Sequence, residues 1–284
     1  MSKTIFEAYN HCKKMLEKAG IEDYASESRA IIRRVTGLAN AQILTKYNEK
    51  LTDFQENNLI ALIHQREIHY PLQYIFGEWG FYGRDFEVGP GVLIPRADTE
   101  TLIDTALELT KDKKEPAVLD LCAGSGCIGI TLACERTDAK VVLVEKYEEA
   151  MRYLIKNIEK NSAQNVSAKA GDIFEGTAAD GKYDIIVSNP PYITDDEMKV
   201  LQPEVRFEPE TALRAADEGL EYYRAITQKY KGSLKSGGSL CFEVGYTQAE
   251  AVCEILKAER FSNIGIRKDM NDVQRVVFGT LNSL

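Results

Sequence analysis

Paired cysteines, histidine and long apolar runs are what this sequence has little of. The six cysteines (Cys12, Cys122, Cys127, Cys134, Cys241 and Cys253) form no Cys-x-x-Cys pair, and none of the three histidines stands with them in metal-ligand spacing. That argues against a disulfide scaffold or a structural zinc site, and no metal is expected. The pattern reads as reduced, mostly buried thiols of a cytoplasmic protein. No apolar run approaches the length of a bilayer span, so no membrane association is expected. The first residues, MSKTIFEAYN, lack a positive segment followed by an apolar stretch, and no secretory signal is read there. Positive charge is also short. Against 44 Asp and Glu stand 35 Lys and Arg, a net charge of −9, which weighs against affinity built on neutralising many phosphates. No internal repeat or low-complexity stretch stands out. What remains is an ordinary globular composition, and 284 residues suffice for one large or two modest domains.

Three regions follow from the pattern along the chain. Residues 1–72 read as a bundle of four or five short helices. Thr4-x-x-Glu7 and Thr52-x-x-Gln55 are capping boxes, Ile5, Tyr9, Cys12 and Leu16 repeat at helical spacing, and Gly20 and Gly37 sit where helices end. Residues 73–95 read as a connector. Its aromatic- and glycine-rich stretch from Tyr74 to Val88 predicts a β-hairpin, closed by the turn signal Gly89-Pro90-Gly91. Residues 96–284 form the third region, opening with Asp98 or Thr99 as cap of a helix through about Leu109. Strands are expected at 117–121, 139–144, 166–170, 183–188 and 239–244, with helices between them. Near-continuous apolar strands alternating with helices define an α/β fold with a mostly parallel sheet covered on both faces. Ligands bind such sheets beyond the carboxyl ends of the strands, which directs attention to the residues after Leu121, Val144, Ala170 and Ser188.

After the first of these strands, Gly124, Gly126 and Gly129 satisfy G-x-G-x-x-G, and Glu145 follows about twenty residues on, as in a dinucleotide fingerprint. A nicotinamide-dependent dehydrogenase is therefore one reading, and a loop that needs glycine only for packing is another. The acid inside the strand gives Asp120-x-Cys122-x-Gly124-x-Gly126, which resembles the Asp/Glu-x-Gly-x-Gly-x-Gly loop of class I S-adenosylmethionine-dependent methyltransferases, a Rossmann-like fold. Cys122 departs from that pattern at its first glycine. The resemblance implies that S-adenosyl-L-methionine lies against Cys122, Ala123, Gly124, Ser125 and Gly126, whose backbone must approach it closely. It implies that Glu145 accepts from both ribose hydroxyls, that Asp172 accepts from the adenine amino group and that Ile173 packs on the ring. The alternatives are a solvated charge at a strand end for Glu145 and a helix N-cap for Asp172.

The strand at 183–188 stops at Asn189-Pro190-Pro191-Tyr192, and two prolines can continue neither a ladder nor a helix interior. As a bare signal the tetrapeptide can be a turn. It is also similar to the Asn/Asp/Ser-Pro-Pro-Tyr/Phe motif of methyltransferases that act on planar nitrogens: adenine N6, cytosine N4, guanine N2 and the glutamine amide. Such a nitrogen is a poor nucleophile because its lone pair is delocalised. The Asn189 carbonyl and the Pro190 backbone carbonyl would each accept one N–H of the target NH₂ and stabilise positive charge as it develops. Pro190 and Pro191 stiffen the loop, and Tyr192 offers a flat wall. No general base is needed, because the nitrogen becomes acidic once alkylated. The absence of histidine or cysteine beside the motif agrees with that.

The segments flanking this core narrow the choice. Pro71-Leu72-Gln73-Tyr74-Ile75, Gly77-Glu78 and Gly91-Val92-Leu93-Ile94-Pro95-Arg96-x-Asp98-Thr99-Glu100 resemble the protein-(glutamine-N5) methyltransferase family, PrmC or HemK. So do Glu204-Val205, Phe207-Glu208-Pro209, Ala212-Leu213, Asp217-Glu218-Gly219-Leu220 and Tyr223-Arg224. The likeness runs from about residue 5 to the C-terminus. It implies that the substrate is the glutamine of the Gly-Gly-Gln loop of peptide chain release factors and that the product cofactor is S-adenosyl-L-homocysteine. It implies that Asn189, Pro190, Pro191 and Tyr192 hold the glutamine, with Asn189 also touching cofactor, and that residues 1–72 dock the release factor. Pro95-Arg96 reads either as part of the substrate entrance or as a rigid joint. Residues 271–277 depart from the family's Gly-x-x-Arg lead-in to the last strand, a change expected in a surface turn. An RNA or DNA amino-methyltransferase is the alternative enzyme, but no basic run flanks the site, so no direct nucleic-acid partner is expected. A non-catalytic binding protein is the third reading, against which the intact Asn-Pro-Pro-Tyr speaks.

Overall fold

A computed structural model describes residues 2–175 and 181–282. The chain divides into two compact units, Met1–Gly77 with Gln202–Phe207, and Glu78–Leu201 with Glu208–Leu284.

The smaller unit is helical: α1 (Ile5–Lys18), α2 (Tyr24–Thr36), α3 (Asn40–Thr45), α4 (Asp53–Glu67) and α5 (Leu72–Phe76). The Thr4–Glu7 and Thr52–Gln55 capping boxes both form, each satisfying two amides that the first helical turn leaves unpaired. Ile5, Cys12 and Leu16 turn inward against Ile31, Ile32, Leu59 and Ile63. Arg66 is buried in this unit, donating to both oxygens of Glu27 at 2.6 and 3.0 Å and to Glu204 at 2.8 Å. A buried guanidinium is tolerable only with such partners, and Glu204 ties Gln202–Phe207 into the unit. Tyr74-Ile75-Phe76, read from sequence as the start of a hairpin, instead completes α5. The helix ends because Gly77 adopts φ +74° as its C-terminal cap, bonding back to the Gln73 carbonyl. The boundary read between residues 72 and 73 thus falls inside α5.

The hairpin begins after that glycine, with β1 (Glu78–Phe81) paired antiparallel to β2 (Arg84–Glu87). Its two turn residues, Tyr82 and Gly83, have φ of +49° and +70°, the backbone that matches a right-handed strand twist. Along the rest of the larger unit run α6 (Glu100–Thr110), β3 (Ala117–Leu121), α7 (Cys127–Glu135), β4 (Lys140–Glu145), α8 (Glu148–Lys160), β5 (Val166–Ala170) and β6 (Tyr183–Ser188). They are followed by α9 (Asp195–Lys199), α10 (Glu221–Tyr230), β7 (Leu234–Glu243), α11 (Ala249–Ala258), β8 (Phe261–Lys268) and β9 (Gln274–Leu281). The sheet order is β5-β4-β3-β6-β7-β9-β8, parallel from β5 to β7, with β9 antiparallel to both its neighbours.

Period-two alternation explains the two cores. Val118, Val141, Leu143, Ile185, Val187 and Cys241 face α6, α7 and α8, while Leu119, Leu121, Val144, Ile186, Leu240 and Phe242 face α10 and α11. Three sequence expectations are corrected here. β7 begins five residues earlier than the apolar run suggested, β8 was not anticipated, and neither Asp98 nor Thr99 caps α6 with its side chain. Residues Ala97–Thr99 instead form a 3₁₀ turn, and their side chains are engaged elsewhere: Asp98 pairs with Arg275 at 2.9 Å, and Thr99 meets Asn189. The order of strands reverses between β3 and β6, so the loops that leave these strands flank the crevice where doubly wound sheets bind ligands.

Candidate active site

A cleft holding about 890 Å³ of space, part of it open to solvent, lies at that crevice. Its walls come from residues 91–96 and Thr99, the loop after β3, Glu145 to Tyr147 after β4, Gly171 to Phe174 after β5, Asn189 and Pro191 after β6, and Pro209, Thr211, Ala212 and Tyr222. Of the residues singled out by sequence, Cys122, Ala123, Gly124, Ser125, Glu145, Asp172, Ile173, Asn189 and Pro191 line it. Gly126, Pro190 and Tyr192 do not.

The glycines of the loop after β3 divide by what surrounds them. Gly124 has φ +56°, and a Cβ there would meet only Val92, at 4.0 Å, so the cavity lies open above it. Gly126 has φ +81°, and a Cβ would stand 2.7 Å from Ile130 and 3.2 Å from Leu143. A Cβ on Gly129 would strike Leu143 at 2.8 Å and Asp120 at 3.0 Å. Only Gly124 keeps the cavity clear. Gly126 and Gly129 let α7 pack closely on the sheet. Cys122 itself adopts φ +60°, the left-handed backbone for which the resembling loop uses glycine, and burial pushes its thiol up. Asn157 holds the loop from behind, donating to the carbonyls of Ser125 and Glu87, both at 3.0 Å. Nothing in its local sequence marks it. Asp120 also works inside the protein: fully buried, it accepts from the Gly129 amide at 2.9 Å, and burial lifts its carboxyl to about 8.

Glu145 closes β4 with its carboxylate held by backbone. Oε2 accepts from the Gly124 amide at 2.8 Å, and Oε1 accepts from the Lys146 and Tyr147 amides, each at 2.8 Å. A carboxylate offers about four acceptor sites, so three are occupied and Oε2 keeps one toward the cavity it lines. The solvated-charge alternative does not describe this group, which is 6% exposed. Asp172 does act as a local cap. Oδ1 accepts from the Phe174 amide at 2.9 Å, and Oδ2 pairs with Lys146 at 2.8 Å. Burial alone would raise its carboxyl, but these two donors outweigh it and hold it below the usual range. Ile173 is buried in the cavity wall, and Phe174 stacks edge-on with Tyr222 at 4.9 Å between ring centroids. That aromatic pair escaped sequence reading because Tyr222 comes from α10, far along the chain.

On the β6 side, Asn189 is half-buried, and its Nδ2 donates to Thr99 Oγ1 at 3.5 Å. Its Oδ1 has no protein partner among the described residues. The loop beyond it is fastened by backbone: the Tyr192 and Ile193 amides bond to the Leu213 carbonyl at 3.1 and 2.8 Å, and Gln248 donates to the Tyr192 carbonyl at 3.0 Å. The Tyr192 ring packs against Gly245, and burial pushes its hydroxyl up. Arg96 forms a salt bridge with the buried Glu208, whose other oxygen accepts from the Ile94 amide at 2.9 Å. The Ile-Pro-Arg and Phe-Glu-Pro segments noticed in the sequence are therefore one structure, and it walls the cavity. The departure at residues 271–277, expected in a surface turn, is only partly there: 271–273 lie in the β8–β9 turn, where Asp269 accepts from the Asn271 and Val273 amides, while 274–277 already belong to β9, with Val276 and Val277 buried. Among the described residues, no group of three His, Cys, Asp or Glu converges as a metal site, and no helix is long and apolar enough to cross a membrane.

Residues 98–206 match the family described as Methyltransferase small domain. A solved methyltransferase from Pyrococcus furiosus aligns with a TM-score of 0.54 over 80% of this chain and 100% of its own, at 17% identity. The fold is that of a class I S-adenosylmethionine-dependent methyltransferase. Residues 7–77 match the PrmC N-terminal domain. A protein of Fusobacterium nucleatum is 36% identical over 95% of this chain and 77% of its own, and one of Geobacter sulfurreducens is 36% identical over 98% and 97%. Both bear the name release factor glutamine methyltransferase. The chain belongs to the release factor glutamine methyltransferase family.

Proposed function

We propose that the protein methylates the side-chain amide nitrogen, N5, of the glutamine in the Gly-Gly-Gln loop of peptide chain release factors, using S-adenosyl-L-methionine. The observation that carries this reading is Asn189. Its NH₂ end is turned to Thr99 and its carbonyl oxygen is free at the cavity wall, an acceptor suited to an amide N–H. The names of the relatives support a release factor as the protein partner.

The residues present fit the cofactor. Gly124 leaves room for close backbone approach, Glu145 keeps an acceptor site for the ribose, and Ile173 offers an apolar face for the adenine. Asp172, already bonded to Phe174 and Lys146, retains lone pairs for the adenine amino group. When bound, S-adenosyl-L-methionine supplies a methyl group on a positively charged sulfur. The remaining work falls to the protein. Asn189 Oδ1 and the Pro190 carbonyl accept the two N–H groups of the glutamine amide, orienting the nitrogen and stabilising charge that develops on it. Pro190 and Pro191 restrict the loop, Tyr192 anchors it on Gly245, Leu213 and Gln248, and the helical unit docks the release factor. Excess proton leaves the alkylated nitrogen to water, without a dedicated base.

Asn189→Ala tests the assignment. Affinity for S-adenosylhomocysteine, measured calorimetrically, is expected to stay within about threefold, while kcat falls by about 10²-fold or more. Turnover equal to the wild type would remove Asn189 from its role.

A further inference from the structure

Pro190 and Pro191 give the loop after β6 no N–H with which to hold itself, and the carbonyl oxygens meant for a substrate amide must stay unbonded. The loop has to be fixed from its two ends. At the start, the buried Ser188 hydroxyl donates to the Leu121 carbonyl at 2.6 Å, which joins the end of β6 to the end of β3, where the loop carrying Gly124 begins. At the far end stands Tyr192, and the side chain that meets its carbonyl is Gln248.

Gln248 precedes α11 as its N-cap, yet its side chain makes no capping bond to that helix. It is 7% exposed and turns instead to three other segments. Nε2 donates to the Tyr192 carbonyl at 3.0 Å and to the Glu218 carbonyl at 3.4 Å. Oε1 accepts from the Gly245 amide at 3.1 Å, with the Tyr223 hydroxyl 3.4 Å away. The reverse orientation would set oxygen against two carbonyls and NH₂ against an amide N–H, so the carboxamide fits one way round.

The backbone makes room for this contact. Gly219, at φ +82°, ends a turn in which Asp217 and Glu218 are also left-handed, at +53° and +55°, a costly backbone for residues that carry a side chain. A Cβ on Gly219 would stand 2.2 Å from Gln248 Nε2 and 2.3 Å from the Tyr192 carbonyl oxygen. One on Gly245 would stand 2.8 Å from Gln248 Oε1 and 3.3 Å from the Tyr192 ring. The Asp217-Glu218-Gly219 segment noticed in the sequence has its place here, outside the walls of the cleft.

We propose that Gln248 is a positioning residue for methyl transfer: it clamps the far end of the Asn189–Tyr192 loop to the residue after β7 and Val244, and so sets where the Asn189 carbonyl stands relative to the loop after β3. The proposal rests on reading Asn189 as an acceptor for the target amide. Gln248 does not line the cleft, so it acts through geometry alone, and a displacement of about 1 Å at a reacting group costs about a hundredfold in rate.

The test compares wild type with two variants. Gln248→Met keeps the length and removes every polar bond. Gln248→Glu keeps the shape and the acceptor for Gly245 but sets a carboxylate oxygen against the Tyr192 and Glu218 carbonyls. In both, kcat for a release factor is expected to fall by about tenfold to a hundredfold, while KM for the release factor and calorimetric affinity for S-adenosylhomocysteine stay within about threefold. Wild-type kcat in either variant would overturn the proposal. So would a loss of S-adenosylhomocysteine affinity as large as the loss of turnover, misfolding included, because that marks a residue that only supports the fold. A release factor left unmethylated by the wild type would overturn the glutamine reading instead, and the same split between kcat and affinity would then be measured on the substrate that the wild type does methylate.

Discussion

At the scale of single residues, the site is built from carboxylates whose surroundings give them different work. Glu145 is pinned by three backbone amides and keeps one acceptor site for a ligand. Glu145→Gln places an NH₂ group where those amides also point N–H bonds, so two donors oppose each other. Affinity for S-adenosylhomocysteine is expected to fall by about tenfold to a hundredfold in titration calorimetry; a change under about twofold would show that the ribose is held elsewhere. Asp120 and Glu243, by contrast, lie deep enough that burial raises them to about 8 and about 7. Glu145 was legible because it ends an apolar strand about twenty residues after the glycine loop. Glu243 also ends an apolar strand, before Val244-Gly245, and the same rule would have marked it. Thr99 had been read as a helix cap, which hid its contact with Asn189.

At the scale of elements, the loop between β3 and α7 carries two glycines with separable roles. Gly126→Ala forces a Cβ to within 2.7 Å of Ile130 at φ +81°, so it is expected to cost about 1–3 kcal/mol of stability in urea unfolding. Gly124→Ala meets no comparable contact, and its larger effect should be on cofactor affinity. Equal losses of stability in both variants would contradict this division. The elements around the loop were legible where burial is complete. β6 is apolar from Ile185 to Val187 because both faces of it are covered. β8 was illegible because, as an edge strand, it carries Ser262, Asn263, Arg267 and Lys268. The first half of β7 reads Lys235-Ser236-Gly237-Gly238, which looks like a turn from its composition. α5 was mistaken for a strand because Tyr, Ile and Phe favour strands in isolation, whereas the left-handed Gly77 ends a helix there.

At the scale of the whole molecule, pH should act on stability through the buried acids of the larger unit. The folded Asp120 carboxyl, at about 8, holds its proton long after the unfolded chain has released it. The unfolded state therefore binds fewer protons between about pH 4 and about pH 8, and stability falls as pH rises through that window. Asp120→Asn keeps an acceptor for the Gly129 amide without a charge to bury, so urea unfolding at about pH 5 and about pH 8 should give a smaller difference than in wild type. An unchanged difference would mean that Asp120 is ionised in the folded protein. The helices at the start of the chain were legible in the capping boxes and in the helical spacing of Ile5, Cys12 and Leu16. The inclusion of Gln202–Phe207 in the helical unit was not, because it depends on Arg66 meeting Glu204 138 residues away. The central claim is that one glutamine amide of a release factor receives the methyl group. The most direct measurement incubates the protein with methyl-labelled S-adenosyl-L-methionine and either purified release factor or bulk RNA and DNA, and maps the label by mass spectrometry. Label confined to the glutamine of the Gly-Gly-Gln loop is the predicted result. Label appearing only in nucleic acid would contradict it.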